Sequence, residues 1–218
     1  MRNKILGSVA AFALIAGLAG AAEANLLQIV GGDAGVTPTP QNDVIPGVAG
    51  FFNTSVMSLQ TTAANVQLTF EFVGFEAGFT NIFSAGGAGT IFNKNGSQAP
   101  FSYIQAAAGD IDFFFQTVAP NLLPQIGNNT AELNGRGFFL SMIDGDATGR
   151  LGTMAYIAYD DSGGGNDDNH DDLVIKVTAS IIPGQEVAEP ATLGILGLGL
   201  AGLALSGFGA RRREPKVA

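Results

Sequence analysis

The chain has 218 residues, no cysteine, and 19 acidic against 10 basic side chains, a formal net charge of −9. Without cysteine it can hold no disulfide framework, thiolate metal site or cysteine nucleophile. Residues 25–190 carry four basic and seventeen acidic side chains, a net of −13, which sets nucleic acid aside as a partner, since little is present to neutralise phosphates, and suits cations instead.

The first element is an export signal. Arg2 and Lys4 form a positive start, Ile5 to Ala22 is an apolar run, and Ala22-Glu23-Ala24 is a small-x-small cleavage site. Residues 1–24 therefore read as a secretory signal peptide with Asn25 as the mature start, and signal peptidase is the implied processing partner. A buried helix is the competing reading, and the order of charges argues against it.

Residues 31–47, rich in Gly, Pro, Thr and Asp, read as an irregular entry segment. Then a period of two sets in. Val66, Leu68, Phe70 and Phe72 alternate with Gln67, Thr69 and Glu71, as in a half-buried antiparallel strand. Lys94-Asn95-Gly96-Ser97 is a hairpin signal, because Asn-Gly accepts the positive φ of a primed turn; it is expected to join 90–92 to 101–104. Ile111, Phe113 and Phe115 alternate again, and further strands are expected at 136–143, 152–160 and 173–182. Short strands between Gly/Asn/Asp turns predict an all-β fold over 25–186, an antiparallel β-sandwich of jelly-roll-like form. Most of the sixteen phenylalanines fall in this region and are assigned to its core. The chain has no tryptophan and three tyrosines, so an exposed sugar-stacking face gets little support.

The densest chemistry lies between the last two expected strands. Asp160 to Asp172 holds six aspartates in thirteen residues around a Gly163-Gly164-Gly165 bend. Clustered carboxylates repel unless solvated or neutralised. A hard cation such as Ca²⁺ takes six to eight oxygens, which Asp and Asn supply. Asp161, Asp167, Asn169 and Asp171 are the expected metal ligands. Asp167-x-Asn169-x-Asp171 has the opening spacing of an EF-hand loop, but position six is Asp172, position twelve is Thr178, and a strand follows, so an EF-hand is excluded. The competing reading is a solvated acidic hairpin loop. His170, the only histidine, is read as a solvated side chain of that loop. Asp144-Gly-Asp146-Ala-Thr148-Gly149 is a second, weaker cation candidate, with a plain turn as the simpler reading.

The end of the chain runs Val187-Ala188-Glu189-Pro190, then twenty uncharged residues (191–210), then Arg211-Arg212-Arg213. At ~1.5 Å per residue a helix over that stretch spans roughly 30 Å, one hydrocarbon core. The arginines belong on the cytoplasmic side. Together these pieces over 187–218 resemble the bacterial PEP-CTERM sorting tail: Pro-Glu-Pro, a Gly/Leu/Ala-rich membrane helix and a terminal arginine cluster. Ala188 replaces the first proline of the motif, while Glu189 and Pro190 keep its Glu-Pro step. The resemblance implies export, retention in the inner membrane with the domain on the periplasmic side, and processing by an exosortase. Release to the cell surface or medium follows, in association with exopolysaccharide. The Asp/Asn-rich loop before a final Leu-Val-x-x-Val strand is likewise similar to that of exported β domains carrying such tails. A plain membrane anchor is the competing reading of the tail.

Gly197-Leu-Gly199-Leu-Ala-Gly202 satisfies a dinucleotide-binding pattern by letter, but it lies inside the membrane stretch with no preceding strand. Asp110 and Asp112 have strand spacing and share a side, and a glycosidase pair would need a separation that sequence does not give. No nucleophile elbow, zinc-protease helix or phosphate loop is present. The expectation is a non-enzymatic envelope or matrix protein. A lectin-like ligand-binding module is the first alternative and a hydrolase the second.

Overall fold

A computed structural model describes residues 25–39, 42–96, 98–161 and 170–182. The expected signal peptide (1–24), sorting tail (187–218, with its span 191–210) and two of the expected ligands, Asp167 and Asn169, lie outside the described residues. The chain divides into Met1–Ile181 and Ile182–Ala218. Among the described residues no helix is long and apolar enough to cross a membrane.

The described fold is all-β, and its sheets are antiparallel. Thirteen strands follow in chain order among the described residues: β1 (Leu27–Val36), β2 (Ala49–Thr61), β3 (Val66–Gly74), β4 (Thr80–Ala85), β5 (Gly89–Phe92), β6 (Phe101–Gln105), β7 (Gly109–Asp110), β8 (Phe113–Ala119), β9 (Ile126–Gly127), β10 (Gly137–Met142), β11 (Leu151–Gly152), β12 (Met154–Asp160) and β13 (Leu173–Ile181). Nine of them form one sheet in the order β11-β1-β2-β10-β12-β13-β3-β6, with β7 also on β2; four form a second sheet, β5-β4-β8-β9.

The period of two explains which faces close. Val66, Leu68 and Phe70 of β3, Phe83 and Ala85 of β4, Phe113 and Phe115 of β8, and Leu173, Ile175 and Val177 of β13 are all buried in one core. Both sheets feed that core, as in a β-sandwich. Phe83 is its hub: its ring lies 5.1 Å from Phe115, 5.3 Å from Phe70 and 5.8 Å from Phe113. Phe115 in turn stacks on Tyr159 at 4.8 Å and 2°. The expectation that the phenylalanines serve packing holds for these rings.

The large sheet is also covered on part of its outer face. Phe139 of β10, Ala158 of β12 and Val174 of β13 bury against Ile45, with Val44 and Val48 beside them. The segment carrying those residues is pinned by side-chain bonds: the Thr37 hydroxyl donates to the Ile45 carbonyl (2.5 Å), and the Asn42 amide oxygen accepts from the Ile45 N–H (2.6 Å). This second layer is why β10 is buried at every position.

Two expectations are corrected. Residues 31–47 are not irregular throughout, since β1 runs to Val36 and pairs with β2 across a register shift between Gly31 and Asp33. Glycine makes that continuation possible: at φ 75° a Cβ on Gly31 would lie 2.2 Å from the Val56 carbonyl oxygen. Nor does Lys94–Ser97 close a hairpin. β5 pairs with β4, and β6 pairs with β3 in the other sheet, so this connection crosses between sheets. Asn93–Asn95 form one 3₁₀ turn, and Asn93 is buried there. Local turn chemistry was outweighed by the polar contacts of Asn93. The tight hairpin turn of this region lies at Gly86-Gly87, both at positive φ, between β4 and β5.

Because Phe83 is fully buried among four aromatic rings, Phe83→Ala is expected to cost about 3–5 kcal/mol. Val56→Ala, on a side chain 57% exposed, is expected to change stability by less than about 0.5 kcal/mol. Urea unfolding of residues 25–186 measures both.

Candidate functional site

The acidic loop emerges where β12 ends and β13 begins. Strand pairing closes at Tyr159 opposite Leu173. The neck beyond it is tied by two bonds: the Asp172 N–H donates to the Tyr159 carbonyl (3.0 Å), and the Asp161 N–H donates to Asp172 Oδ2 (2.6 Å). Asp160, Asp161, Asp171 and Asp172 are all buried, none more than 4% exposed. Of the expected ligands, the structure thus brings Asp161 and Asp171 to one neck.

Each side of the neck is held by a different layer. Toward the small sheet, the Asn81 amide of β4 donates to Asp161 Oδ2 (2.5 Å), and the Thr117 hydroxyl of β8 donates to Asn81 Oδ1 (2.9 Å). Thr117 also lies 3.4 Å from the Tyr159 hydroxyl. Asn93 accepts from the Asn81 N–H and donates to the Asp172 and Phe79 carbonyls. Toward the covering segment, Asp171 Oδ2 accepts from the N–H groups of Asp43 (2.9 Å) and Val44 (3.4 Å), and the Asp171 carbonyl accepts from the Glu76 N–H.

Asp171 is held on the side of the covering segment. It is fully buried, and its Oδ1 has no hydrogen-bond partner among the described residues. Burial pushes its carboxyl above the ordinary range, the Asp43 and Val44 N–H groups pull it back, and the nearby Glu76 and Asp43 carboxylates push it further up. A carboxyl raised in the fold favours the protonated native form. That contribution is present below the unfolded value and is lost as pH rises through the folded one. No three His, Asp or Glu side chains converge as a ready metal-binding group among the described residues. A cation here would need backbone oxygens, water or loop residues as well.

His170 corrects the sequence reading. It is 7% exposed, at φ 56°, and its ring meets Phe52 edge-on at 4.9 Å. It is a packed residue of the neck, drawn in because β2 presents Phe52 on the outer face that the covering segment closes.

The second candidate, around Asp144, is a turn. Asp144 accepts from the N–H groups of Thr153 and Met154 and from the Thr153 hydroxyl; Asp146 accepts from Thr148, Arg150 and Leu151. These carboxylates are satisfied by their own loop. Asp110 and Asp112 are both exposed, as their spacing implied.

Asn81, Asn93, Thr117 and Phe52 were missed by the sequence reading. A usable signal existed for two of them. Thr117 falls on the Phe113–Phe115 face of β8, and Asn81 on the Phe83–Ala85 face of β4. A polar residue in register with buried phenylalanines needs a polar partner. Comparison with protein-family models, curated protein sequences and solved structures finds no match to this chain.

The two kinds of carboxylate differ in pH response. Some burial raises Asp144, but the Thr153 hydroxyl and the Met154 and Thr153 N–H groups outweigh it and hold the carboxyl below its ordinary value. Its stability contribution is present above the unfolded value of about 3.9 and is lost as pH falls through the lower folded value. Asp144→Asn is expected to cost about 1 kcal/mol at pH 7 after allowance for solvent screening. That cost should shrink toward zero at acid pH, where the wild type is protonated too. Thermal melts of both chains across pH measure the difference.

Proposed function

We propose that this chain is an exported, non-enzymatic protein of the cell envelope or extracellular matrix, whose β domain is clamped by calcium at the β12–β13 neck. The observation that carries the calcium reading is Asp171: a fully buried carboxylate with one oxygen unpartnered, beside three further buried aspartates. Ionised carboxylates are buried only when neutralised or well bonded, and oxygen-rich ligation suits Ca²⁺. The ligand set is Asp161 and Asp171 at the neck with Asp167 and Asn169 from the loop.

The placement rests on the two ends of the sequence. Signal peptidase cuts after Ala24, with Ala22 completing the cleavage site. The tail, read as PEP-CTERM-like from Glu189-Pro190, the apolar span and Arg211–Arg213, anchors the domain on the periplasmic side until an exosortase removes it. Exopolysaccharide is the partner this tail implies. Two antiparallel sheets sharing one core support the sandwich. Their nine-to-four division is more unequal than the eight-strand double-sheet jelly roll, so the sandwich is the part of that expectation carried forward.

Calcium that binds only the folded chain stabilises it by about 2.7 kcal/mol at a hundred times Kd. Residues 25–186 are therefore expected to melt roughly 5–10 °C higher in saturating Ca²⁺ than in chelator, and by more than in matched Mg²⁺. Changing Asp167 and Asp171 together to Asn should remove most of that gain. Identical melting in Ca²⁺ and chelator, with no heat of binding, would sink the clamp.

The tail has its own readout. Mass spectrometry of the mature protein from its native cell should show Asn25, within a residue or two, as the first residue and no peptide from 195–210. Recovery of those peptides in the mature protein rules out exosortase-type removal.

A further inference from the structure

The sheet ends are protected unequally. β11 and β9, which end the large and small sheets, are two residues long, and β5 has four. Stubs of that length offer little backbone to a foreign strand. β6 has five residues and, among the described residues, pairs on one side only, with β3 in continuous register from Phe70↔Phe101 to Val66↔Gln105. It carries none of the usual guards. Residues 95–109 hold no charged side chain, Pro100 lies before the strand rather than within it, and the ladder has no bulge. Ser102 and Ile104 point outward, Ile104 being 56% exposed. The strand is stiffened from its inner side: the Phe101 and Tyr103 rings stack on Phe70 at 5.3 and 5.9 Å, and a Cβ on Gly89 would lie 2.4 Å from the Phe101 ring. A preformed, uncharged, one-sided strand is a template for strand addition.

We propose that β6 is a pairing edge that takes a second copy of this chain in antiparallel register, joining two large sheets across a two-fold axis. A strand paired with its own copy about such an axis is self-complementary. Centred on Tyr103, the pairing sets Phe101 opposite the partner's Gln105 and Ser102 opposite the partner's Ile104, so all five residues are used. The charge at one end of the strip favours this sense: the Gln105 amide donates to the carbonyl of exposed Asp110, so a parallel pair would set two Asp110 carboxylates side by side, whereas an antiparallel pair keeps them at opposite ends. Elsewhere the exported segment is strongly anionic, at −13 over 25–190, and repels its own copies. The uncharged strip is where that repulsion is weakest.

The absence of cysteine allows a clean test on the full chain. In the proposed register, position 104 of one copy lies diagonal to position 104 of the other, roughly 7–8 Å away, within reach of a short bismaleimide. Ile104→Cys should give a crosslinked dimer whose joined peptide pairs position 104 with itself. Val56→Cys, an equally exposed position on β2 (57%), should not. Ile104→Lys, at a side chain facing solvent, should keep the wild-type melting temperature. It should weaken dimerisation in sedimentation by roughly two- to thirtyfold, since the two-fold axis removes the cross-strand pair twice. Equal crosslinking at 56 and 104, no crosslink at 104, a crosslink to a different protein alone, or a dimer unchanged by Ile104→Lys would each overturn the proposal.

Discussion

Burying negative charge at the β12–β13 neck is the constraint on which the arrangement of the other layers turns. β12 and β13 are central strands, between β10 and β3 in the nine-stranded order, so their exit is enclosed from both faces. Four aspartates at that exit are almost wholly buried. An ionised carboxylate left unbonded in such a place costs several kcal/mol. The fold supplies donors from two directions: the Asn81 amide from the small sheet, and the Asp43 and Val44 N–H groups from the covering segment. The neck is thereby a point where three layers are cross-linked by polar contacts. Such a network is directional in a way that phenylalanine packing is not, and it fixes how the small sheet meets the large one at that end.

The contrast with the Asp144–Asp146 turn shows why the neck is the better cation candidate. Both segments are acidic in sequence. In the turn, each carboxylate collects several N–H and hydroxyl donors while remaining open to solvent, so it needs nothing further. At the neck, Asp171 keeps one buried oxygen without a partner among the described residues, and neighbouring Glu76 and Asp43 carboxylates add to the strain on its charge. Counting aspartates in the sequence separates these two sites poorly. Counting donors against buried oxygens separates them well, and that is the physical basis for proposing calcium at one and not the other.

The same distinction sets how much was legible in the sequence. Strand positions followed from alternation: Val66-x-Leu68-x-Phe70 and Phe113-x-Phe115 declare their buried faces, and β10, β12 and β13 fall within the expected 136–143, 152–160 and 173–182. What alternation cannot give is which strand pairs with which. Asn95-Gly96 has local hairpin chemistry, yet the buried contacts of Asn93, made to groups twelve and seventy-nine residues away, carry the chain from one sheet to the other. His170 was misread for a related reason. Its neighbours in sequence are acidic and polar, and the apolar ring that buries it, Phe52, comes from β2. The candidate site was visible as a cluster of aspartates. Of the partners that make it a buried network, Asn81 and Thr117 come from the small sheet and Asn93 from the 3₁₀ turn that follows β5.

The distribution of charge ties the neck to the open edge of the sheet. A net of −13 over 25–190 keeps copies of the chain apart at long range, and at physiological ionic strength that repulsion is screened beyond about 8 Å. Approach is then governed by what lies at the contact itself. Along β6 the contact is backbone, Ser102 and Ile104, so short-range hydrogen bonding and burial of Ile104 face little local opposition. A divalent cation at the neck would reduce the net negative charge by two without touching that strip, which makes its effect on association long-range and salt-sensitive, whereas a lysine placed at Ile104 acts at contact. The acidic neck and the uncharged edge therefore act on different terms of the same balance. One tunes how strongly copies repel at a distance, and the other decides whether they pair once they meet.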